Sequence, residues 1–327
     1  MGSSSGLVLV HLLADRALQP LGAQFVFGPD SAAAFGKMLS ADAFKALTTQ
    51  CSCLMAQKDA ANLPAELLEQ ASQAGLQVIA EDALSRFDDT PPVMSPKVQW
   101  VDGVWYLAPP AKPKAAQAAS RVMALKLVQL VSADADTREI EDVFRQDPSL
   151  SYHLLRLVNS LAFGASRRIS SFSQAILMLG RQQLKRWLNL ILFAAGSDDP
   201  RSAMLLGRVV VRARMMELLT RETGADKAQQ ELAFMAGMFS MLGVLFGQPL
   251  DSVLKPLQLD DVLLAAVLAH EGPMGNMLKL LACAESLDEV GVSDGLGQLG
   301  LTANAYNLLA LESVQWMLGM RQEGSDD

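Results

Sequence analysis

The spacing of apolar positions changes partway along the chain. Over the first hundred residues, short apolar runs alternate with helical stretches. Leu7–Leu12 and Ala23–Phe27 read as strands, and Ser31–Leu39 and Ala41–Thr48 as helices, with Ser40 placed to cap the second. Cys51–Ala56 reads as another strand, Pro64–Ala74 as a helix with proline in its first turn, and Leu76–Ala80 as a strand following Gly75. Gln99–Leu107 reads as a last strand or hairpin. Strands alternating with helices bury their apolar faces against each other, so residues 1–108 are expected to form a small α/β domain.

The run Ala108-Pro-Pro-Ala-Lys-Pro-Lys114 interrupts this pattern, because proline is costly inside a helix. Beyond it, residues 115–327 show helical spacing almost throughout. Ala118–Val131 is periodic, Asp136 and Glu139 are placed as a capping box, and Asp147-Pro148 opens a helix that runs to Asn159. Phe172–Leu179, Gln182–Ala195, Arg201–Thr223, Asp226–Phe246, Asp260–His270, Gly275–Leu287 and Ala303–Leu318 continue the series. The expected fold is α+β in two domains, a small α/β unit and an all-helical bundle, each with its own core. The uncharged run Leu232–Leu250 contains three glycines and a proline, and reads as a core helix too short to span a membrane.

Composition narrows the function classes. Half of the residues are hydrophobic and 19% are charged, which is a globular signature far from disorder. A net charge of −8 argues against general nucleic-acid binding. Three cysteines cannot build a disulfide framework, and Cys51-Ser-Cys53 lacks a second pair for zinc. The start, Met1–Gly6, reads as a flexible leader or expression scar with no secretory signal, so the expected location is the cytoplasm. His11, His153 and His270 are the only histidines, and none has metal-ligand spacing.

The most informative stretch is Asp147 to Leu192. It contains Asp147-Pro-Ser-Leu-Ser-Tyr-His-Leu-Leu-Arg-Leu-Val-Asn-Ser160, Ala162-Phe-Gly164, Arg168-Ile-Ser-Ser171, Gln174-Ala-Ile176, Leu179-Gly180 and Leu184-Lys-Arg-Trp-Leu188. These elements, in this order, resemble the signature region of the HDOD family. That family comprises helical bundles of bacterial signalling proteins related to HD-type metal phosphohydrolases. The hydrolases hold divalent cations with a His-Asp pair, and the metal activates water for phosphoester cleavage. The matching segment here, Gly237-Met-Phe-Ser-Met-Leu-Gly243, puts Ser240 and Met241 at that pair, and neither suits a hard cation. The resemblance therefore implies a pseudoenzyme, with no catalytic residue, no metal ligand and no cofactor.

A second resemblance covers parts of the first domain. Leu63–Glu81 is similar to a late helix–strand unit of EAL domains, which hydrolyse cyclic di-GMP with carboxylate-bound metals. Val101–Pro110 is similar to that domain's closing segment. No Glu-Ala-Leu motif is present, and Asp88-Asp89 runs into Thr90-Pro91 and reads as a solvated turn. Glu81 is the one carboxylate that matches. This implies a shortened, degenerate EAL-like domain kept as an interaction module.

Between Ser149 and Ser197 lie Arg156, Arg167, Arg168, Arg181, Lys185 and Arg186, with no acidic residue. A second group, Arg201, Arg208, Arg212, Arg214 and Arg221, follows on one helix. Both groups read as solvated faces or as ion pairs to acids such as Glu139, Glu141 and Asp142. The first, with Asn159, is also the candidate interaction face, because arginine pairs its planar fork with carboxylate or phosphate. The expected function is non-catalytic signalling through an unidentified protein partner. The alternative is sensing of a cyclic di-GMP-type nucleotide at the arginine-rich face.

Overall fold

In a computed structural model, the structure describes residues 6–89, 92–108, 199–255, 259–322 and short stretches between 126 and 143. The first half is a six-stranded open sheet in the order β4-β3-β2-β1-β6-β5. Its strands are β1 (Val8–Ala14), β2 (Pro20–Phe27), β3 (Ser52–Ala56), β4 (Leu76–Ile79), β5 (Leu84–Arg86) and β6 (Trp100–Asp102). β1 runs antiparallel to β2 and β6, whereas β2, β3 and β4 are mutually parallel. The β1–β2 turn is tight because the Asp15 carboxylate accepts from the Ala17 and Gln19 amides, leaving Leu18 at a φ of 60°.

Helices α1 (Ala32–Ser40), α2 (Asp42–Gln50), α3 (Gln57–Ala60) and α4 (Ala65–Gln73) connect the strands. Ser40 does not cap α2. Its hydroxyl bonds back to the Gly36 and Lys37 carbonyls, ending α1, and Ala41 takes the cap position without a side-chain bond. Of the strand or hairpin expected at Gln99–Leu107, the strand is present over three residues, followed by a 3₁₀ turn, Trp105–Leu107. That turn buries Trp105 and Tyr106, so packing set the chain's direction there.

The described helices of the second half are α5 (Ser202–Glu222), α6 (Lys227–Phe239), α7 (Leu242–Phe246), α8 (Leu250–Leu254), α9 (Asp261–Ala269), α10 (Gly272–Glu285), α11 (Glu289–Leu299) and α12 (Ala303–Gln322). The single helix expected over Asp226–Phe246 is broken at Ser240–Met241 into α6 and α7. Asp226 starts it through a capping box with Gln229. Ile140 N–H donates to the Asp136 carbonyl at 3.3 Å. The signature stretch 147–192 lies outside the described residues. Among the described residues, no helix is long and apolar enough to cross a membrane.

The expectation of two separate cores is corrected. One buried cluster runs from Leu7 and Phe25 through Trp105 to Leu219, Phe234 and Leu318. Helix α12 packs against α2 and β1 as well as α5, so the bundle closes the open side of the sheet. The reason is geometric. β6 pairs with β1 only at Ala14–Val101, and among the described residues no other strand borders the start of β1 on that side. Asn307 of α12 supplies the missing bonds, accepting from Val8 N–H at 3.0 Å and donating to the Gly6 carbonyl at 2.8 Å.

Among the described helices, α5 and α6 pack most extensively against each other, and Gly237 permits their close approach. A Cβ at Gly237 would lie 2.6 Å from the Ala213 Cα and 3.1 Å from the Arg212 carbonyl. Gly237→Ala is therefore expected to push the helices apart and lower stability by about 1–3 kcal/mol, read as a reduced denaturation midpoint. An unchanged midpoint would contradict the close approach.

Candidate functional site

The polar residues that the fold collects lie where the sheet meets the bundle. Helix α5 is apolar on most sides and carries Arg208 and Arg212 one turn apart, so both point along one face. That face meets the end of α10, where Glu285 closes an otherwise apolar run, and α12, where Tyr306 lies inside. Arg212 grips Glu285 with two nitrogens and gives a third bond, at 2.9 Å, to the Ser240 hydroxyl. Ser240 in turn donates to the Gly237 carbonyl at 2.7 Å, and Met241 beside it is buried. The segment expected to hold a His-Asp pair in a hydrolase is thus tied to an arginine–glutamate ion pair. Arg212 and Arg208 hold the Glu285 carboxyl below the usual range although burial pushes it up, with Arg212 the main cause.

Arg208 is buried and donates through Nε to the Tyr106 hydroxyl at 3.0 Å, with its guanidinium over that ring. Burial works against its charge, but Tyr106, Glu285 and Asp102 more than offset this and keep it protonated. Tyr106 comes from the sheet half and Arg208 from the bundle, so this contact crosses the seam. Arg201 adds another crossing, pairing with Asp199 and donating to the Ala108 carbonyl. Burial raises the Tyr306 hydroxyl well above its ordinary value, with Glu285 adding to the effect.

A second pair lies in the sheet. His11 Nε2 donates to Asp102 at 2.7 Å, and Arg86 reaches the other carboxylate oxygen at 3.2 Å. His11 is therefore a satisfied interior residue. Burial pushes Asp102 up, but His11, the Gly103 amide and Arg86 outweigh it and bring it to about 2. Its folded value lies below its unfolded one, so the stabilisation is present above roughly pH 4 and fades as pH falls towards 2. Asp102→Asn is expected to remove roughly 2 kcal/mol of that acid-side loss, seen as a flatter denaturation midpoint between pH 5 and pH 2.5. An unaltered slope would count against the pair.

Other sequence candidates fall elsewhere. His270 caps α9 in a left-handed conformation at a φ of 55°. Asp88, read as a solvated turn, is organised: it accepts from Arg86 at 3.0 Å and from the Val104 amide at 3.1 Å. Cys53 is buried, and its hydrogen bond to Cys51 drives its thiol far up. Among the described residues, no three or more His, Cys, Asp and Glu side chains are placed to hold a metal ion. The second arginine group is internally paired, though not with the acids expected. Arg212 takes Glu285, Arg214 takes Glu217 and Glu312, and Arg221 takes Glu222 and Glu312. Arg156, Asn159, Arg167, Arg168, Arg181, Lys185 and Arg186 lie outside the described residues.

Sequence reading missed Glu285, Tyr306, Tyr106 and Asn307. The available signal was a lone polar residue in an apolar helical run, as in Leu280–Glu285 and Ala305–Leu311. Such residues are costly to bury unless partnered, so they mark tertiary contacts.

A sheet layer and a helical bundle sharing one core, with this charge network at their seam, frame the comparisons with known proteins. Residues 117–252 match the family model described as HDOD domain, so the chain carries an HDOD domain there. The chain is 32% identical over 196 residues to a Vibrio cholerae protein named cyclic di-GMP phosphodiesterase CdgJ, covering 60% of this chain and 45% of that one. It is 29% identical over 192 residues to the uncharacterised protein YuxH of Bacillus subtilis, covering 58% and 46%. The chain thus spans under half the length of these relatives. A solved structure from Shewanella amazonensis, given there the provisional label of phosphohydrolase, aligns at TM-score 0.44 and 16% identity over 64% of this chain and 98% of that one.

The name of the Vibrio relative overturns the expectation that this chain is not an enzyme. That expectation rested on Ser240 and Met241. Two side chains at one helix break do not decide the chemistry of proteins more than twice as long as the stretch compared.

Proposed function

We propose that this chain works in cyclic di-GMP signalling, as a relative of the phosphodiesterases of that system that joins a shortened EAL-like layer to an HDOD domain. The observation that carries this reading is the 196-residue likeness to CdgJ, together with the HDOD match at 117–252. Strand–helix alternation with parallel β2, β3 and β4 supports the EAL-like part. The shared core supports a relay, because β1 cannot shift without disturbing Asn307 on α12. The HDOD domain would pass the state of the chain to a protein partner through the basic face bearing Arg156, Asn159, Arg167, Arg168, Arg181, Lys185 and Arg186.

Incubation of purified chain with cyclic di-GMP and Mg²⁺ or Mn²⁺, followed by chromatography, tests the reading. A linear dinucleotide that disappears with EDTA assigns the chain a catalytic place in the system. Calorimetric binding without product, lost in Arg181→Ala and Arg186→Ala, assigns it a receptor's place at the arginine-rich face. Neither product nor binding removes cyclic di-GMP from the account.

A further inference from the structure

Helix α9 carries a face that the bundle leaves uncovered. Between Asp261 and His270 its sequence is Val-Leu-Leu-Ala-Ala-Val-Leu-Ala, with no polar side chain. Leu263, Ala266 and Val267 are buried, and the helix packs on α10, α6 and α8. On the other side Val262 and Leu268 are 59% and 43% exposed, and Ala269 is exposed with them. Among the described residues no other helix holds two large apolar side chains in solvent. A surface helix turns charged or polar residues outward, so an apolar outer face marks a contact still to be made.

The layout of that face matches itself. At about 100° per residue, Ala265 lies midway between Val262 and Leu268 both around the helix and along it. The stripe is therefore low at its centre and raised on either side. Its ends differ in chemistry, with the exposed carboxylates of Asp260 and Asp261 at the start and the exposed imidazole of His270 at the finish. A two-fold axis at Ala265 brings each Val262 level with the Leu268 of the other copy. It also brings each His270 level with the other copy's Asp260 and beside its Asp261. A parallel arrangement would set the same carboxylates against each other, so the charges favour the antiparallel one.

We propose that α9 docks antiparallel on the α9 of a second copy of this chain, across a two-fold axis at Ala265. Such a face closes on itself, so assembly stops at two chains. A nine-residue helix is only about 14 Å long, and an interface centred on it falls short of the roughly 800 Å² per partner of stable complexes. The association is therefore weak and depends on concentration. The helix lies beyond residue 252, where the HDOD match ends, and the surface is independent of the cyclic di-GMP reading.

Sedimentation equilibrium of the full chain from about 5 to about 500 µM tests it, with the average mass expected to rise from one chain towards two. Val262→Glu and Leu268→Lys are each expected to hold the mass at one chain without lowering the thermal midpoint, since both positions are exposed. An equal mixture of the two variants should regain dimer, because the axis sets the new acid of one level with the new base of the other. A wild-type chain that stays at one chain mass, its face empty or kept for a different protein, would overturn the proposal. So would a dimer undiminished in both variants, a mixture no heavier than either variant alone, or growth past two chains.

Discussion

Glu285→Ala is expected to destabilise the protein by about 3 kcal/mol, the largest single effect at the seam. Removing one partner of a buried ion pair costs about 3–5 kcal/mol, because the charge left behind has lost both water and its counter-ion. Here Arg212 would be left 13% exposed with only the Ser240 hydroxyl, and Arg208 would lose a nearby negative charge. The value belongs at the lower end, since 20% of the Glu285 side chain still meets solvent. The double variant Arg212→Met with Glu285→Leu should recover most of the loss, because two apolar groups leave no orphaned charge. Denaturant midpoints at constant slope would measure both. A loss below about 1 kcal/mol for Glu285→Ala would mean the pair behaves as a surface contact.

Asn307→Leu is expected to cost about 2–3 kcal/mol, since it strands two backbone groups in the interior. Asn307 is 1% exposed, and among the described residues no strand replaces it beside Val8 and Gly6. A leucine of similar size fills the space but neither accepts from the Val8 amide nor donates to the Gly6 carbonyl. The effect has a local signature. Hydrogen exchange at the Val8 amide should accelerate well beyond exchange in β3, whose partners β2 and β4 do not involve Asn307. Uniform acceleration across the sheet would argue for general loosening instead.

Much of the element order was legible from periodicity. The strands at Val8–Ala14 and Ser52–Ala56 and the helices at Ser202–Glu222 and Ala303–Gln322 lie where the apolar spacing places them. The HDOD domain was legible because its signature is a contiguous run of residues, and the family match at 117–252 bears it out. The break at Ser240–Met241 was not legible. Nothing in Gly237–Gly243 forbids a continuous helix, and at the break the Ser240 hydroxyl is held by Arg212 and the Gly237 carbonyl, contacts that local spacing does not show. Nor were the β5 strand and the α8 and α11 helices foreseen: β5 and α8 carry too few residues to show a period, and α11 holds Gly291, Gly295 and Gly297, which weaken a helical reading.

The candidate site was less legible still. The sequence showed Arg208 and Arg212 on one helix but not their partners, which come 102 and 73 residues away along the chain. By itself the sequence determined the α/β-then-helical layout, the HDOD kinship and the arginine face of α5, because each is written in local spacing or a contiguous motif. Only the tertiary structure decided that the two halves share one core, that Glu285 neutralises Arg212 at Ser240, and that Arg208 meets Tyr106 across the seam. Those facts depend on which distant side chains meet once water is excluded, and burial makes the difference between a charge that needs a partner and one that does not.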